Sequence, residues 1–159
     1  MASKKKKTKE QNKEIRNSKA LRNFTVTEKL EAGVVLTGTE IKSIRQGKAQ
    51  INESFARVDR GEMFLYNAYI DEYSHGNINN HNPTRPRKLL LHKKEIHRWQ
   101  AAVEAGGYTI ILLKLYFKKS LLKAEIGLCK GKKLFDKRED MKKKTQMREA
   151  QRAISGRYD

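Results

Sequence analysis

The stretch YTIILLKLYFKKSLLKAEIGLC, residues 108–129, decides the fold. Its pattern predicts two long strands, Tyr108–Phe117 and Leu121–Cys129, around a turn at residues 118–120. These strands finish the predicted domain, because the 30 residues after Cys129 offer little that could join an apolar core. A second kind of segment, rich in lysine and arginine, therefore follows the domain.

More strands are predicted upstream of this hairpin. A strand-like pattern begins at Phe24, and Gly33 within it predicts a bulge or a sharp bend, which small closed sheets need. Two further strands, Ile51–Val58 and Met63–Ile70, flank a turn at residues 59–62. About six strands without regular alternation with helices argue against a parallel sheet.

Two short helices and one long loop complete the prediction. Thr39–Gly47 and Lys93–Ala105 show helical spacing, and Trp99 in the second helix is predicted to lie in the core. Residues 74–87 form a loop longer than most connections. The predicted fold is mainly β: a small closed antiparallel barrel of the oligonucleotide-binding type, with added short helices and a basic C-terminal tail.

Charge is concentrated at the two ends of the chain. The formal net charge is +18; residues 1–23 carry nine basic and two acidic groups, and residues 130–159 carry eleven and five. We predict a disordered basic arm at 1–16, a barrel domain that binds RNA at 17–131, and a basic tail at 132–159. The charge favours a polyanionic partner, with nucleic acid ahead of an anionic membrane.

Several classes of protein are disfavoured. The single cysteine, Cys129, excludes an internal disulfide and fits a small buried residue. No apolar run approaches the ~20 residues of a membrane span, and no secretory signal follows the first lysines, so a cytoplasmic protein without membrane contact is expected. The four histidines lack ligand spacing and are expected to be solvated or to cap helices. We predict no enzyme activity, cofactor or metal site.

Candidate RNA contacts remain ambiguous when read from residue types alone. Glu31 is either a solvated strand residue or an acceptor for base amino groups and 2′-hydroxyls among cations. Lys130-Gly131-Lys132-Lys133, near Lys123, is either a solvated charge run or a phosphate-binding ridge. Phe135 either packs back on the barrel or stacks on a base.

The tail has one local signal for a helix. Asp136 and Glu139 form a pair typical of a helix N-terminus, with Asp136 as the cap. The apolar stripe that follows is thin, so we predict a tail that is disordered when free and becomes helical against a phosphate-lined surface.

Three blocks and a shorter one resemble a known family. The segments EAGVVLTGTEIKSIRQGKAQI (31–51), NPTRPRKLLLHKKEI (82–96) and GLCKGKKLFDKRED (127–140), with NSKA (17–20), resemble the small protein B family, the SsrA-binding proteins of bacterial trans-translation. The resemblance implies binding to the tRNA-like domain of transfer-messenger RNA (tmRNA, or SsrA RNA), in a complex with elongation factor Tu. It further implies delivery to stalled ribosomes, where the tail lies in the empty mRNA channel and the decoding centre, and tagging of the nascent chain for degradation.

The resemblance also assigns residues. Phe135 stands where the family often has Tyr or His, and His92 where some members have Asn, so a polar contact is lost or changed at each position. The predicted tmRNA contacts are Asn17, Lys19, Glu31, Leu90, His92, Lys123, Lys130, Gly131, Lys132 and Lys133. The predicted ribosome contacts of the tail are Phe135, Asp136, Lys137, Arg138, Lys142, Lys143, Lys144, Arg148 and Arg152.

Two alternatives stay open at this point. One is a general single-strand binder of the same fold that acts as a chaperone, which poly-U would displace from tmRNA. The other is a nuclease, which would need clustered carboxylates or histidines that the sequence does not present.

Overall fold

The computed structural model describes residues 14–76 and 80–156. The strands in these ranges are β1 (Ile15–Arg16), β2 (Phe24–Val34), β3 (Ala49–Gln50), β4 (Phe55–Asp59), β5 (Glu62–Tyr66), β6 (Tyr69–Ile70), β7 (Arg87–Leu90), β8 (Tyr108–Lys118) and β9 (Leu121–Gly131). The helices are α1 (Ala20–Asn23), α2 (Gly38–Arg45), α3 (Lys93–Glu104) and α4 (Leu134–Ser155).

The predicted central hairpin is confirmed. β8 and β9 pair in antiparallel register from Tyr108 opposite Lys130 to Lys118 opposite Leu121. Lys119 and Ser120 make the turn with φ values of 50° and 67°. Two consecutive residues with positive φ are the geometry that suits the right-handed twist of a two-residue hairpin.

The strands close into an antiparallel ring, as the sequence predicts. The sheet runs β8–β4–β5–β7–β2–β9, and β9 returns to pair with β8. β1 adds to the β8 edge through Ile15 opposite Leu115, two residues before the predicted start of the barrel domain. Residues 1–13 of the predicted arm lie outside the described residues. The assignment to the oligonucleotide-binding type stays a prediction.

The irregularities of the ring lie elsewhere than predicted. The pairing of β2 with β9 shifts register between Val26 and Glu28, and that of β8 with β9 between Leu112 and Lys114. Of the two alternatives predicted at Gly33, the bulge is therefore wrong, and the sharp bend stays a prediction. Gly33 instead pairs with strands on both sides, because β2 meets β9 and β7 at this position.

The predicted hairpin of residues 51–70 is real but shorter. β4 and β5 pair only from Phe55–Asp59 to Glu62–Tyr66. Ile51 is buried but lies in a turn, where both the backbone N–H and the hydroxyl of Ser54 donate to its carbonyl oxygen, at 3.1 and 2.5 Å. The predicted strand therefore begins only at Phe55, and Ile51 is buried without strand pairing.

Both predicted helices form, and Ile44 of α2 and Ile96 of α3 pack in the core. Gly47 ends the α2 region with φ of 73°, and its N–H donates to Ile44 at 2.9 Å. Trp99 of α3 is fully buried, as predicted, and Cys129 is also buried. Burial raises the pKa of the Cys129 thiol to about 11, so the thiol stays protonated and unreactive at neutral pH.

A buried ion cluster, which the sequence did not predict, connects α2 to the long loop and β7. Glu40 and Arg87 are both fully buried, and Arg87 Nε donates to Glu40 Oε2 at 2.5 Å. Arg85 donates to Glu40 Oε1 at 2.6 and 2.8 Å. Burial raises the pKa of Glu40, but hydrogen bonds from Arg87 and Arg85 outweigh this effect and hold the pKa below its ordinary value.

The same region buries a histidine that was expected to be solvated. His81 Nε2 donates to the carbonyl of Ile70 at 2.9 Å, so its Nδ1 accepts from the Thr39 hydroxyl, also at 2.9 Å. Loop residues 80–86 are thereby fixed to α2 and β6, and β7 is placed in the ring.

Helix α4 extends from the domain. Its 22 residues span about 33 Å. Lys133 occupies the N-cap position and Asp136 lies in the first turn, so the predicted cap at Asp136 is wrong. A carboxylate in the first turn still complements the helix dipole. At the base of the helix, Lys132 forms an ion pair with Asp140 and donates to the carbonyl of Leu21 at 2.9 Å.

Removing one partner of the buried cluster should destabilise the domain strongly. We expect Arg87→Met to lower the free energy of unfolding by about 3–5 kcal/mol, because Glu40 keeps its buried charge with a single partner. Lys88→Met, at the next position of the strand, removes an exposed pair with Glu62 and should cost less than about 1 kcal/mol. Urea unfolding followed by circular dichroism measures both.

The pH dependence of the free energy of unfolding is a second measurement on the same variants. Because the folded pKa of Glu40 is lowered, its contribution to stability is present above the ordinary glutamate range and is lost as pH falls through the lowered value. Equal small losses of unfolding free energy for Arg87→Met and Lys88→Met at pH 7 would contradict a stabilising role of the buried ion cluster.

Candidate nucleic-acid interface

The register of β2 places three predicted RNA contacts side by side. Gly33 lies opposite Lys123 of β9 on one edge and opposite Leu90 of β7 on the other. Glu31 is two residues earlier on the same strand and so lies on the same face. The neighbouring positions, Ala32 and Ala124, are buried inside the ring, so this face is the outer one.

Glu31 is held as an ionised acceptor. The Tyr116 hydroxyl donates to Glu31 Oε2, and Lys118 Nζ lies 3.5 Å from Oε1. The hydrogen bond from Tyr116, with the charges of Lys118 and Lys123, lowers the pKa of Glu31. Burial and the bond to Glu31 raise the pKa of Tyr116, so the phenol stays a donor. The Glu31 side chain remains 37% exposed, which leaves it accessible to a ligand.

Glycine at position 33 makes room for Leu90. A Cβ added to Gly33 would lie 3.3 Å from Leu90 Cβ and 3.4 Å from its Cδ1. Leu90 is 53% exposed, which is unusual for a strand leucine of a closed ring. We call Glu31, Gly33, Leu90, Tyr116, Lys118 and Lys123 the Glu31 surface.

Two carboxylates face each other at this surface. Glu31 lies directly opposite Glu125 of β9, an arrangement that destabilises a sheet unless cations compensate. Lys114 and Lys29 approach Glu125 to 3.5 and 3.9 Å, while Tyr116 and Lys118 contact Glu31. Acceptors flanked by cations can receive amino groups and 2′-hydroxyls while the lysines contact phosphates.

Asn17 and Lys19 lie elsewhere and are used within the protein. Asn17 is buried; its amide donates to the Leu112 carbonyl at 2.9 Å, and its oxygen accepts from the Ala20 N–H at 3.1 Å. Lys19 pairs with Glu53 at 2.6 Å on the surface. Asn17 therefore holds the start of α1, and its side chain is not presented to a ligand.

The Lys130–Lys133 cluster is divided. Lys130 is exposed and its Nζ lies 4.7 Å from the centre of the Tyr108 ring. Lys132 pairs with Asp140 and donates to the carbonyl of Leu21, and only 15% of its side chain is exposed. The phosphate ridge stays a prediction. Lys133 is exposed at the N-cap of α4, and open space surrounds Gly131.

The structure does not bring the Glu31 surface and the Lys130–Lys133 cluster together. Lys123 and Lys130 are seven positions apart on β9, which corresponds to about 23 Å along a strand. His92 follows Leu90 of the Glu31 surface by two residues. It is exposed at the N-cap of α3, and its backbone N–H donates to the Glu95 carboxylate at 3.3 Å. His92 thus caps a helix, as one of the two predicted possibilities had it.

The predicted tail contacts share one helix. Among the predicted ribosome contacts of the tail whose side chains are described, all are exposed except Lys137, which is half-buried. Helical spacing places Lys137, Lys144, Arg148 and Arg152 on one stripe of α4. The side chain of Phe135 lies outside the described residues, so its stacking role stays a prediction.

Tyr116, Glu125 and Lys114 were missed by the sequence reasoning. The sequence contains a signal for all three. A period of two along β8 places Lys114 and Tyr116 on the same face as Lys118. The third, Glu125, shares a face with Lys123 by the same rule on β9. Because these strands are mostly apolar, their residues were interpreted as part of the core, and these outward-facing side chains were not predicted as contacts.

Other ligand classes find little support in the described ranges. Between residues 14 and 76 and between 80 and 156, no three His, Cys, Asp or Glu side chains are grouped so as to hold a metal ion. Within the same ranges, no helix has the length and apolar character that crossing a membrane requires.

Comparisons with known proteins agree on one family. A family model described as SmpB protein matches residues 14–156. The SsrA-binding protein of Geobacter sulfurreducens is 54% identical over 138 residues, which cover 87% of this chain and 90% of that protein. The SsrA-binding protein of Shouchella clausii is 55% identical over 141 residues, covering 89% and 90%.

A solved structure agrees with these relatives. One chain of the structure described as "tmRNA-SmpB: a journey to the center of the bacterial ribosome" is 43% identical, with a TM-score of 0.65, and the match covers 76% of this chain and 85% of that chain. The resemblance to small protein B is thereby confirmed, and the chain belongs to the SmpB protein family.

Proposed function

We propose that this protein binds the tRNA-like domain of tmRNA and delivers it to stalled ribosomes. The observation that carries the proposal is the Glu31 surface, an ionised acceptor fixed by Tyr116 among lysines on the outer face of the ring. Membership in a family of SsrA-binding proteins supplies the identity of the RNA.

The chemistry of this surface supports recognition of a folded RNA more than of any polyanion. Lysines alone bind phosphates regardless of sequence or shape. A carboxylate repels phosphates, so Glu31 is favourable only where an RNA places a donor at that spot. Leu90 beside it offers an apolar contact to a base or ribose. Binding at the Glu31 surface therefore depends on the shape of the RNA partner.

The tail extends this role to the ribosome. In the proposed mechanism, α4 enters the empty mRNA channel and its basic stripe contacts ribosomal RNA, while residues 135–138 lie in the decoding centre. An alanyl-tmRNA complex with elongation factor Tu carries the protein to the ribosome in the cytoplasm. The protein acts by binding and positioning and performs no chemical step itself.

The order of the tail is part of the proposal. Exposed Met141, Met147 and Ile154 show that α4 has little packing beyond the Lys132–Asp140 anchor. Helices without packing are marginal in water, so we propose that α4 frays in the free protein and becomes fully helical on the ribosome. The anchor keeps the first turns in place and limits where the helix can point.

The first test concerns Glu31. We expect Glu31→Ala to weaken binding to a tRNA-like-domain transcript by roughly ten- to a hundredfold, since a hydrogen bond to a charged group contributes about 1.5–3 kcal/mol. Gel shifts at several salt concentrations measure the affinity, with an ordinary tRNA and poly-U as competitors.

A matched control lies on the same strand. Glu28→Ala removes a carboxylate that pairs with Arg98 of α3, away from the Glu31 surface, and should leave RNA affinity within about twofold. Unchanged affinity of Glu31→Ala, loss of its fold by circular dichroism, or equal displacement of the RNA by poly-U would each count against the assignment.

The second test separates binding from tagging. Truncation before Phe135 should leave affinity for the tRNA-like domain nearly intact but abolish tagging on stalled ribosomes, because the Glu31 surface is distant from α4. Truncation after Met141 keeps Asp140 and the anchor to Lys132 while removing most of the basic stripe. Tagging by either truncated protein would show that the stripe is dispensable.

The third test measures the free tail. Amide hydrogen exchange should be fast from residue 142 to residue 156 in the free protein and slow in β8 and β9, because exposed helical turns without tertiary packing open readily. Addition of ribosomes carrying the complex should slow exchange in that segment. Protection in the free protein equal to that of β9 would reject a tail that is ordered by the ribosome.

A further inference from the structure

Two pairings in the ring are short, that of β2 with β7 and that of β4 with β8, and we call the second one the seam. β4 and β8 share only two residue pairs, Phe55 opposite Ile111 and Ala56 opposite Ile110, whereas β4 and β5 share five. Beyond Ala56 the two strands separate, although β4 continues for three residues and β8 extends two residues on the same side. The separation leaves backbone groups of two strands facing one gap, with α3 across it.

A cavity of about 340 Å³ lies in this gap. Its apolar walls come from both strands and from α3: Phe55, Ala56, Val58, Val103 and Ile110. Its polar lining consists of Arg57, Gln100, Glu104 and Thr109. The volume is near the lower end of the range of ligand pockets, which is ~300–1,000 Å³. We call this space the seam cavity.

An aromatic pair holds a cation at the cavity. The rings of Phe55 and Tyr66 stack with centroids 5.5 Å apart and planes at 20°. The Arg57 guanidinium lies over the Tyr66 ring at 5.0 Å. Within the described ranges Arg57 has no carboxylate partner at ion-pair distance. Stacking therefore fixes the guanidinium in place and leaves its N–H groups for an anion.

We propose that the seam cavity binds one unpaired nucleobase of the RNA, with Arg57 on the adjoining phosphate. A nucleobase has flat apolar faces and an edge of donors and acceptors, which matches apolar walls combined with an amide, a hydroxyl and a carboxylate. Glu104 and Gln100 provide acceptors for an exocyclic amino group. The surplus of positive charge on the chain favours a nucleotide over a neutral ligand.

Other occupants fit the lining less well. Glu104 disfavours a free anion bound in the cavity, and Arg57 and Glu104 together disfavour a lipid chain. Phe55 and Arg57 are on β4, whereas the Glu31 surface is built on β2, β7, β8 and β9, so this is a separate site. The inference rests on the proposed function only for the identity of the partner as RNA.

The probe is each of the four nucleoside monophosphates, titrated into the full-length protein and followed by ¹H–¹⁵N NMR. At least one nucleotide should shift the amides of Val58, Gln100, Glu104 and Thr109 saturably, with smaller shifts at Glu31 and Lys123. Failure of all four nucleotides to shift the cavity amides overturns the inference, and a peptide ligand would then be the better fit.

Two variants localise the effect. Val103→Trp fills the seam cavity and should weaken nucleotide binding at least about fivefold, the scale of one lost base stack. Ala101→Trp places the same side chain on the exposed side of α3 and should leave binding within about twofold. Thr109→Val removes one polar group without changing the shape and should weaken binding even if Val103→Trp does not fold. Equal binding by the wild type and Thr109→Val, with an unfolded Val103→Trp, would overturn the inference.

A second arm identifies the source of the base. If Thr109→Val or Val103→Trp weakens binding to the tRNA-like-domain transcript, the base belongs to that domain. If only binding to full-length tmRNA weakens, the base lies elsewhere in the RNA. The site and the proposed function fail separately: nucleotide binding at the seam with no affinity for tmRNA would reject the function and keep the site.

Discussion

β9 pairs along both of its edges, with β2 on one side and with β8 on the other. This double pairing closes the ring, and it also brings together residues that are far apart in the sequence. Glu31 of β2, Lys123 of β9 and Tyr116 of β8 become neighbours only because the two ladders share one strand. A shift of one residue in the β2–β9 ladder would turn Glu31 and Lys123 to opposite faces, and the same shift in the β8–β9 ladder would separate Tyr116 from Lys123. The candidate surface therefore depends on both registers.

Local pattern was sufficient for the elements that bury one face. The β8–β9 hairpin, α2 and α3 follow from apolar periodicity and turn residues, and Trp99 and Cys129 are buried as predicted. Pattern failed where distant charges meet. Glu40 and Arg87 are 47 positions apart, and each looks like a surface residue until the other is placed beside it. The prediction that the strand begins at Ile51 was wrong for a related reason. In a sequence, a residue that is buried without strand pairing looks like a strand residue.

The candidate site was predicted in part for the same reasons. Glu31, Leu90 and Lys123 came from resemblance and position, and their convergence at Gly33 follows from pairing that no local pattern encodes. Asn17 was predicted as an RNA contact from the resemblance and Lys132 from the basic cluster, and both roles stay predictions. Their partners, Asp140 and Leu112, are 8 and 95 positions away, and only the folded chain shows that both side chains are already engaged.

A strongly basic protein faces the problem that it binds any nucleic acid. Each lysine at a phosphate adds affinity without selectivity, and that part of binding falls steeply with salt. A fixed carboxylate such as Glu31 adds the opposite: it penalises a surface of phosphates and rewards a donor at one position. The tail has no such element in its C-terminal half, where five basic residues between Lys142 and Arg152 accompany one acidic residue, Glu149. In the proposed function, selectivity therefore belongs to the ring, and the tail supplies attraction that acts once the ring has placed it in a channel free of mRNA.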